Sequence, residues 1–137
     1  MLKVLVVDDS LIIRKKVKKL VIQLGHDVVG DAKNGQESIT QYKALEPDLV
    51  TMDITMPDMN GIEAVGHILK EDENAKIIMV TSHGQEDMVI KSIKAGAVGY
   101  MLKPVTQEKL ATAIGEVFGE YAVDEDDDLD ILDDDLL

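Results

Sequence analysis

The 137-residue chain contains no cysteine. That absence excludes a disulfide scaffold, a thiolate-bound zinc and a thiol nucleophile. Long apolar runs are missing too. None approaches the roughly 18 residues that span a bilayer, and the opening Met1-Leu2-Lys3-Val4 lacks the layout of a signal peptide. A soluble cytoplasmic protein with no membrane insertion is therefore the expectation. Base is scarce relative to acid: the formal charge is −13, whereas holding a phosphate backbone needs clustered Lys and Arg, so nucleic acid is not expected as the main partner. The imbalance is local. Ten acids and no base lie from Glu120 onward, which leaves 17 acids against 14 bases in residues 1–119. The body is nearly neutral.

What is present is enough apolar material, 45% of residues, to bury one core without staples. Short apolar runs alternate with amphipathic stretches. Lys3–Val7 reads Lys-Val-Leu-Val-Val, the pattern of a strand buried on both faces. From Ser10 to Leu24, apolar residues at 13, 17, 20, 21 and 24 describe a helix that Gly25 stops. The spacing then predicts strands over Asp27–Gly30, Leu49–Met52, Lys76–Val80 and Val98–Leu102. Helices are predicted over Gln36–Leu45, Ile62–Lys70, Gln85–Ala95 and Thr106–Phe118, with turns at Asn34-Gly35, Glu46-Pro47-Asp48, Pro57–Gly61 and Lys103-Pro104. Strict alternation of five strands and five helices means an α/β fold: a doubly wound parallel sheet with helices on both faces. Residues 1–119 form that domain, and 120–137 read as an acidic tail.

In an open parallel sheet, ligands bind at the carboxyl ends of the strands. Four strands here run into a reactive side chain: Asp8-Asp9, Asp53, Thr81 and Lys103. Three carboxylates brought together repel unless a cation joins them, and all-oxygen donors favour a hard ion such as Mg²⁺. Lys103 adds a point charge suited to phosphate, and Thr81 a hydroxyl donor. Taken singly, each has a plainer explanation. Asp8-Asp9-Ser10 would cap a helix, and Asp53 would serve as a turn residue. Their joint placement at strand ends is what points to phosphoryl chemistry.

The same residues carry a resemblance. Val-Leu-Val-Val-Asp8-Asp9-Ser, Asn34-Gly35, Pro47-Asp48-Leu-Val-Thr-Met-Asp53-Ile-Thr-Met-Pro57-Asp-Met-Asn60-Gly61, Val80-Thr81-Ser, Ala95-Gly96-Ala97 and Lys103-Pro104 follow in order over residues 1 to about 119. The chain resembles the receiver domains of two-component response regulators, close to the single-domain chemotaxis type (CheY). The resemblance implies strand order 2-1-3-4-5. It implies Asp53 as phosphoacceptor from a histidine kinase, possibly CheA-like. Asp9 is the implied direct Mg²⁺ ligand, with Asp8 acting mostly through water and the Thr55 backbone carbonyl completing the protein's ligands with Asp53. Thr81 and Lys103 would hold the phosphoryl oxygens. Tyr100 would be the aromatic that turns inward when Thr81 moves, and Pro104 would follow a cis bond. A monomer is expected that switches partner binding through the face of its fourth helix, fifth strand and fifth helix. Its target would be a flagellar motor switch or a phosphotransfer protein, and its only catalysis its own phosphorylation and dephosphorylation.

Two positions depart from the familiar chemotaxis pattern. Thr55 and His83 stand where the family tunes loss of the phosphoryl group and where its best-known members carry an amide and a carboxylate. His83 is expected to shape that rate, or else to be an ordinary exposed loop residue. Three other readings stay in view. One is a phosphorelay intermediate without motor output, and another is a receiver fold used only for docking. The third, a haloacid-dehalogenase-type phosphohydrolase, would need Asp-x-Asp on the first strand and a cap insertion, neither of which is present. In the tail, Leu129, Leu132 and Leu136 fall at i, i+3 and i+7 among eight Asp and one Glu from Asp124 onward. The tail is expected to be disordered alone and to serve either as a docking element or as a solubilising segment. Truncation after Tyr121 should then spare labelling by acetyl phosphate and weaken capture of one partner.

Overall fold

Strand β1 (Lys3–Val7) is continuous in apolar residues because both of its faces are covered: Val4 and Val6 enter one core layer, Leu5 and Val7 the other. β3 (Leu49–Asp53) and β4 (Ile77–Thr81) are buried along their whole length. β2 (Asp27–Ala32) and β5 (Gly99–Leu102) lie at the edges and keep partial exposure. All pairings are parallel, in the order β2-β1-β3-β4-β5, as expected. The computed structural model describes residues 1–119, so the expected disorder and leucine face of the acidic tail lie outside the described residues.

Five helices clothe the sheet: α1 (Leu11–Gln23), α2 (Gly35–Leu45), α3 (Gly61–Glu71), α4 (Glu86–Ala95) and α5 (Gln107–Phe118). Val17 and Val21 of α1 join Leu110, Ala113 and Ile114 of α5 over Val4, Val6, Ile78 and Val80. On the opposite face, Tyr42 of α2 and Ala64, Val65 and Ile68 of α3 cover Leu5, Val7, Val50 and Met79, with Met88 and Val89 of α4 at the margin. Each fully buried Val, Leu or Ile contributes roughly 1.5–3 kcal/mol. An uncovered sheet face would forfeit several such terms at once. Met52 and Met56 are buried and Met59 packs against the same cluster, so these methionines fill the core.

Element boundaries agree with the sequence reading to within one residue, except at the end of β2, which runs two residues further. Asp31 and Ala32 continue that strand past Gly30, and all three pair with Leu5, Val6 and Val7 after a register shift that skips Val29. Their strand propensity is poor, and neighbouring groups compensate. Asp31 is neutralised by Arg14 at 3.0 Å and Lys18 at 3.3 Å. Gly30 leaves room for α2, since a Cβ there would sit 2.6 Å from both Gln41 Oε1 and Leu45 Cδ1 and would make those side-chain ends move.

Four helices begin on side chains that accept from their own first turn: Ser10, Asn34, Asn60 and Thr106. Asn60 and Glu63 form a reciprocal capping box at 2.9 and 3.2 Å. α3 therefore starts sharply, and at Gly61 it starts against β3 itself. A Cβ at Gly61 would collide with the carbonyl of Asp53, and its N–H donates to Ile54 O at 2.8 Å. Only glycine lets α3 begin this close to the end of β3. The Lys103–Pro104 peptide bond is cis.

Candidate functional site

The parallel register places the reactive residues on one rim. Val7 pairs with Met52 and Met52 with Met79, so Asp8 and Asp53, each one residue on, leave the sheet side by side. Asp8 N donates to Ala32 O at 3.1 Å and Ile54 N to Val80 O at 3.3 Å, carrying the ladder just past the strands. Thr81 pairs with Leu102, and Lys103 N donates to Thr81 O at 2.7 Å. Asp8, Asp9, Asp53, Thr81 and Lys103 thus share the carboxyl edge because of strand register alone.

One half of the rim is charged. Carboxylate oxygens of Asp8, Asp9 and Asp53 lie within 4.8 Å of one another, with Asp8 and Asp53 buried and Asp9 exposed. The Lys103 ammonium sits 3.3 Å from Asp8 Oδ2 and 3.4 Å from Asp53 Oδ1, bridging the two buried acids. One cation against three carboxylates is not enough. Burial first, then the charge of Asp8, push the Asp53 carboxyl up to about 6, with Asp9 adding and Lys103 opposing. Burial, the largest single effect on Lys103, lowers its affinity for a proton, but Asp53 and Asp8 together outweigh it and the net shift is upward. Lys103 therefore stays an ammonium. The donor set suits a hard cation, being all carboxylate oxygen with no His or Cys among the three residues. Asp8 is the most occupied, accepting from Ser10 N at 2.9 Å as well as from Lys103.

The other half is neutral. The Thr81 hydroxyl, buried at 1% exposure, donates to Gln85 Oε1 at 2.7 Å. Ser82 N donates to the same oxygen at 2.9 Å, and Gln85 Nε2 donates to Thr55 Oγ1 at 2.8 Å. Thr55 and His83 are both exposed, on the loops that follow β3 and β4. Tyr100 projects from β5 with 52% of its surface exposed and lines a cavity of about 590 Å³ with Val89, Ile90 and Ile93 of α4. Thr81 and Gln85 line the same cavity, so the rim and the α4–β5 face are continuous.

Two contributors escaped the sequence reading. Gln85 stands before a helix and looks like an unremarkable cap, yet its side chain reaches back to residues 4 and 30 positions away. Arg14 donates Nη1 to the Asp8 carbonyl at 2.8 Å and Nε to Asp31 at 3.0 Å, bracing the turn that presents Asp8 and Asp9. It is the single arginine among thirteen lysines, a usable signal because only a guanidinium can serve two acceptors in a fixed fork.

The family profile described as the response regulator receiver domain matches residues 4–115. The chain belongs to the response regulator receiver family. This receiver is similar to the chemotaxis protein CheY of Thermotoga maritima, 47% identical over 115 residues that cover 84% of this chain and 96% of that one. It is also similar to CheY of Bacillus subtilis, 42% identical over 83% of this chain and 95% of the relative. Among solved structures, a CheX-CheY-BeF3-Mg complex from Borrelia burgdorferi superimposes with a TM-score of 0.82 at 33% identity, covering 86% of this chain and 90% of that one. The receiver is CheY-like, and phosphorylation and partner switching are general properties of such signalling domains. CheY-like receivers bind kinases and downstream targets. Among the described residues no helix is long and apolar enough to cross a membrane.

Proposed function

We propose that Asp53 is the phosphoacceptor and that the chain takes its phosphoryl group from a phosphohistidine of a CheA-like kinase in the cytoplasm. The observation that carries this reading is the Lys103 ammonium bridging two buried acids at 3.3 and 3.4 Å on a rim of three carboxylates. An Asp53 oxygen attacks phosphorus in line, the P–N bond breaks, and its electron pair leaves with the imidazole, which takes up a proton. An acyl phosphate results. Carboxylate is a weak nucleophile, so the rate must come from positioning and from neutralising charge on the transferring group. β3 and Gly61 fix the direction of Asp53, Lys103 supplies one positive charge to the phosphoryl oxygens, and Thr81 offers its hydroxyl to another. Asp9 and Asp53, with the Thr55 carbonyl, would hold Mg²⁺ directly and Asp8 would hold it mostly through water. When bound, Mg²⁺ would supply the remaining charge neutralisation.

The machinery is complete within residues 1–119, and the only chemistry assigned to it is gain and loss of its own phosphoryl group. Output is a change of packing on the face made by α4, β5 and α5, in which Tyr100 enters the cavity beside α4 as Thr81 turns to the phosphoryl group. A flagellar motor switch or a phosphotransfer protein is the partner class such a face would serve. The test is labelling with radioactive acetyl phosphate, with and without Mg²⁺. Stable label in wild type that needs Mg²⁺ and is lost in folded Asp53→Asn is expected. Continuous phosphate release without a labelled protein would indicate a phosphohydrolase, and no label at all would leave a docking module.

A further inference from the structure

Among the described helices, α4 alone lacks a side-chain cap: Gln85 stands at its N-cap position and its side chain makes no hydrogen bond to the first turn. Its carboxamide is turned back onto the rim, and the orientation is decided by chemistry. The backbone N–H of Ser82 can only donate, so the atom 2.9 Å from it must be the carboxamide oxygen. The Thr81 hydroxyl, 2.7 Å from that same oxygen, must therefore donate as well. The amide nitrogen is then left to donate to Thr55 at 2.8 Å. Thr81 owns a single proton, and Gln85 holds it at 2.7 Å, with the Ser82 carbonyl a distant second acceptor at 3.4 Å. A phosphoryl oxygen is an acceptor only, so it can be bonded by Thr81 only after Gln85 lets go.

On the reading that Asp53 is phosphorylated, we propose that Gln85 is a positioning residue that competes with the phosphoryl group for the Thr81 hydroxyl, and thereby ties the start of α4 to the occupancy of the rim. Loss of the Thr81 bond removes one of the three side-chain bonds that hold Gln85 against the two loops. The backbone carbonyl of Gln85 accepts from Val89 N at 3.0 Å, so movement of this residue is passed to the first turn of α4. The exchange favours the phosphoryl group because a hydrogen bond to an anion is stronger than one to an amide. The neutral bond that must break still taxes it. A net neutral hydrogen bond is worth about a fivefold change in an equilibrium constant.

The experiment is a beryllofluoride titration in Mg²⁺, followed by amide NMR shifts, on wild type, Gln85→Ala, Gln85→Met and Gln85→Glu. Gln85 is only half-buried, so the fold should survive each change. Removing the competing acceptor should tighten beryllofluoride about fivefold in the Ala and Met variants. A carboxylate, which accepts from Thr81 more strongly and adds negative charge, should weaken it tenfold or more. A merely structural role at the start of α4 would move all three variants in one direction. On a Thr81→Ala background the gain from Gln85→Ala should vanish, because the shared proton is gone. Unchanged or weaker binding in both Ala and Met, or an equal gain on the Thr81→Ala background, overturns the latch while leaving Asp53 as acceptor. Failure of the wild type to bind beryllofluoride at all would overturn the acceptor reading and the latch with it.

Discussion

The two halves of the rim are built on different physics. Asp8 and Asp53 are buried charges held by strand ends and by the half-buried Lys103 ammonium, at separations set when the sheet forms. Thr81 at the end of β4, Thr55 on the loop after β3 and Gln85 before α4 are neutral groups, joined by hydrogen bonds that can be re-paired without creating a charge. A buried charge cannot move without a heavy desolvation cost, whereas an exchange of neutral partners costs about 1 kcal/mol. The charged half is therefore suited to binding and chemistry, and the neutral half to switching. Both lie within one β-ladder step of each other, since Lys103 N is bonded to Thr81 O at 2.7 Å.

The comparison breaks most visibly if Lys103 is removed. Lys103→Met leaves Asp8 and Asp53 buried without their ammonium, and in EDTA at pH 7.5 it should destabilise the protein by about 2–4 kcal/mol by urea unfolding. A change under 0.5 kcal/mol would show that these charges are better solvated than the structure indicates.

Asp53→Asn should do the reverse. The Asp53 carboxyl is raised from 3.8 to about 6 in the fold, so at pH values between these the folded state holds a proton that the unfolded state has lost. Stability therefore falls as pH rises through this window, and the penalty is complete above pH 6. Asn carries no such penalty. In EDTA at pH 7.5 the variant should be more stable than wild type by about 2 kcal/mol, and the difference should shrink toward zero near pH 4. A gain independent of pH would point to a change in packing in place of relieved repulsion.

Changes in the neutral half should be small in stability and visible in kinetics. Thr55→Ala and His83→Ala should each shift the melting midpoint little, because both residues are exposed. Each should alter the half-life of the acyl phosphate by a few-fold without blocking its formation. Decay curves for His83→Ala that overlay the wild type from pH 6 to 8 would make His83 an ordinary loop residue.

The same contrast explains what was legible in the sequence. Strand β1 could be read from Lys-Val-Leu-Val-Val because burial on both faces leaves a continuous apolar run, and Asp8-Asp9, Asp53, Thr81 and Lys103 could be placed because each directly follows or ends such a run. Charge at a strand end is a one-dimensional signal. Gln85 is not, because its partners Thr81 and Thr55 meet only after β3 and β4 have paired and its side chain has turned away from its own helix. The extension of β2 through Asp31 and Ala32 was hidden for a similar reason: its support comes from Arg14 and Lys18, both remote in sequence. Local propensity pointed the other way and tertiary packing overrode it.

The most direct test of the charged half is the effect of Mg²⁺ on melting. Three carboxylates within 4.8 Å and a single ammonium leave negative charge uncompensated, so a cation that binds there stabilises only the folded state. Melting midpoints should be recorded at pH 7.5 in EDTA and in millimolar Mg²⁺, for wild type and for Asp9→Ala. A rise of several degrees is predicted for wild type, and at most a fraction of it for Asp9→Ala. An equal rise in both proteins would place the ion away from the rim and contradict the assignment.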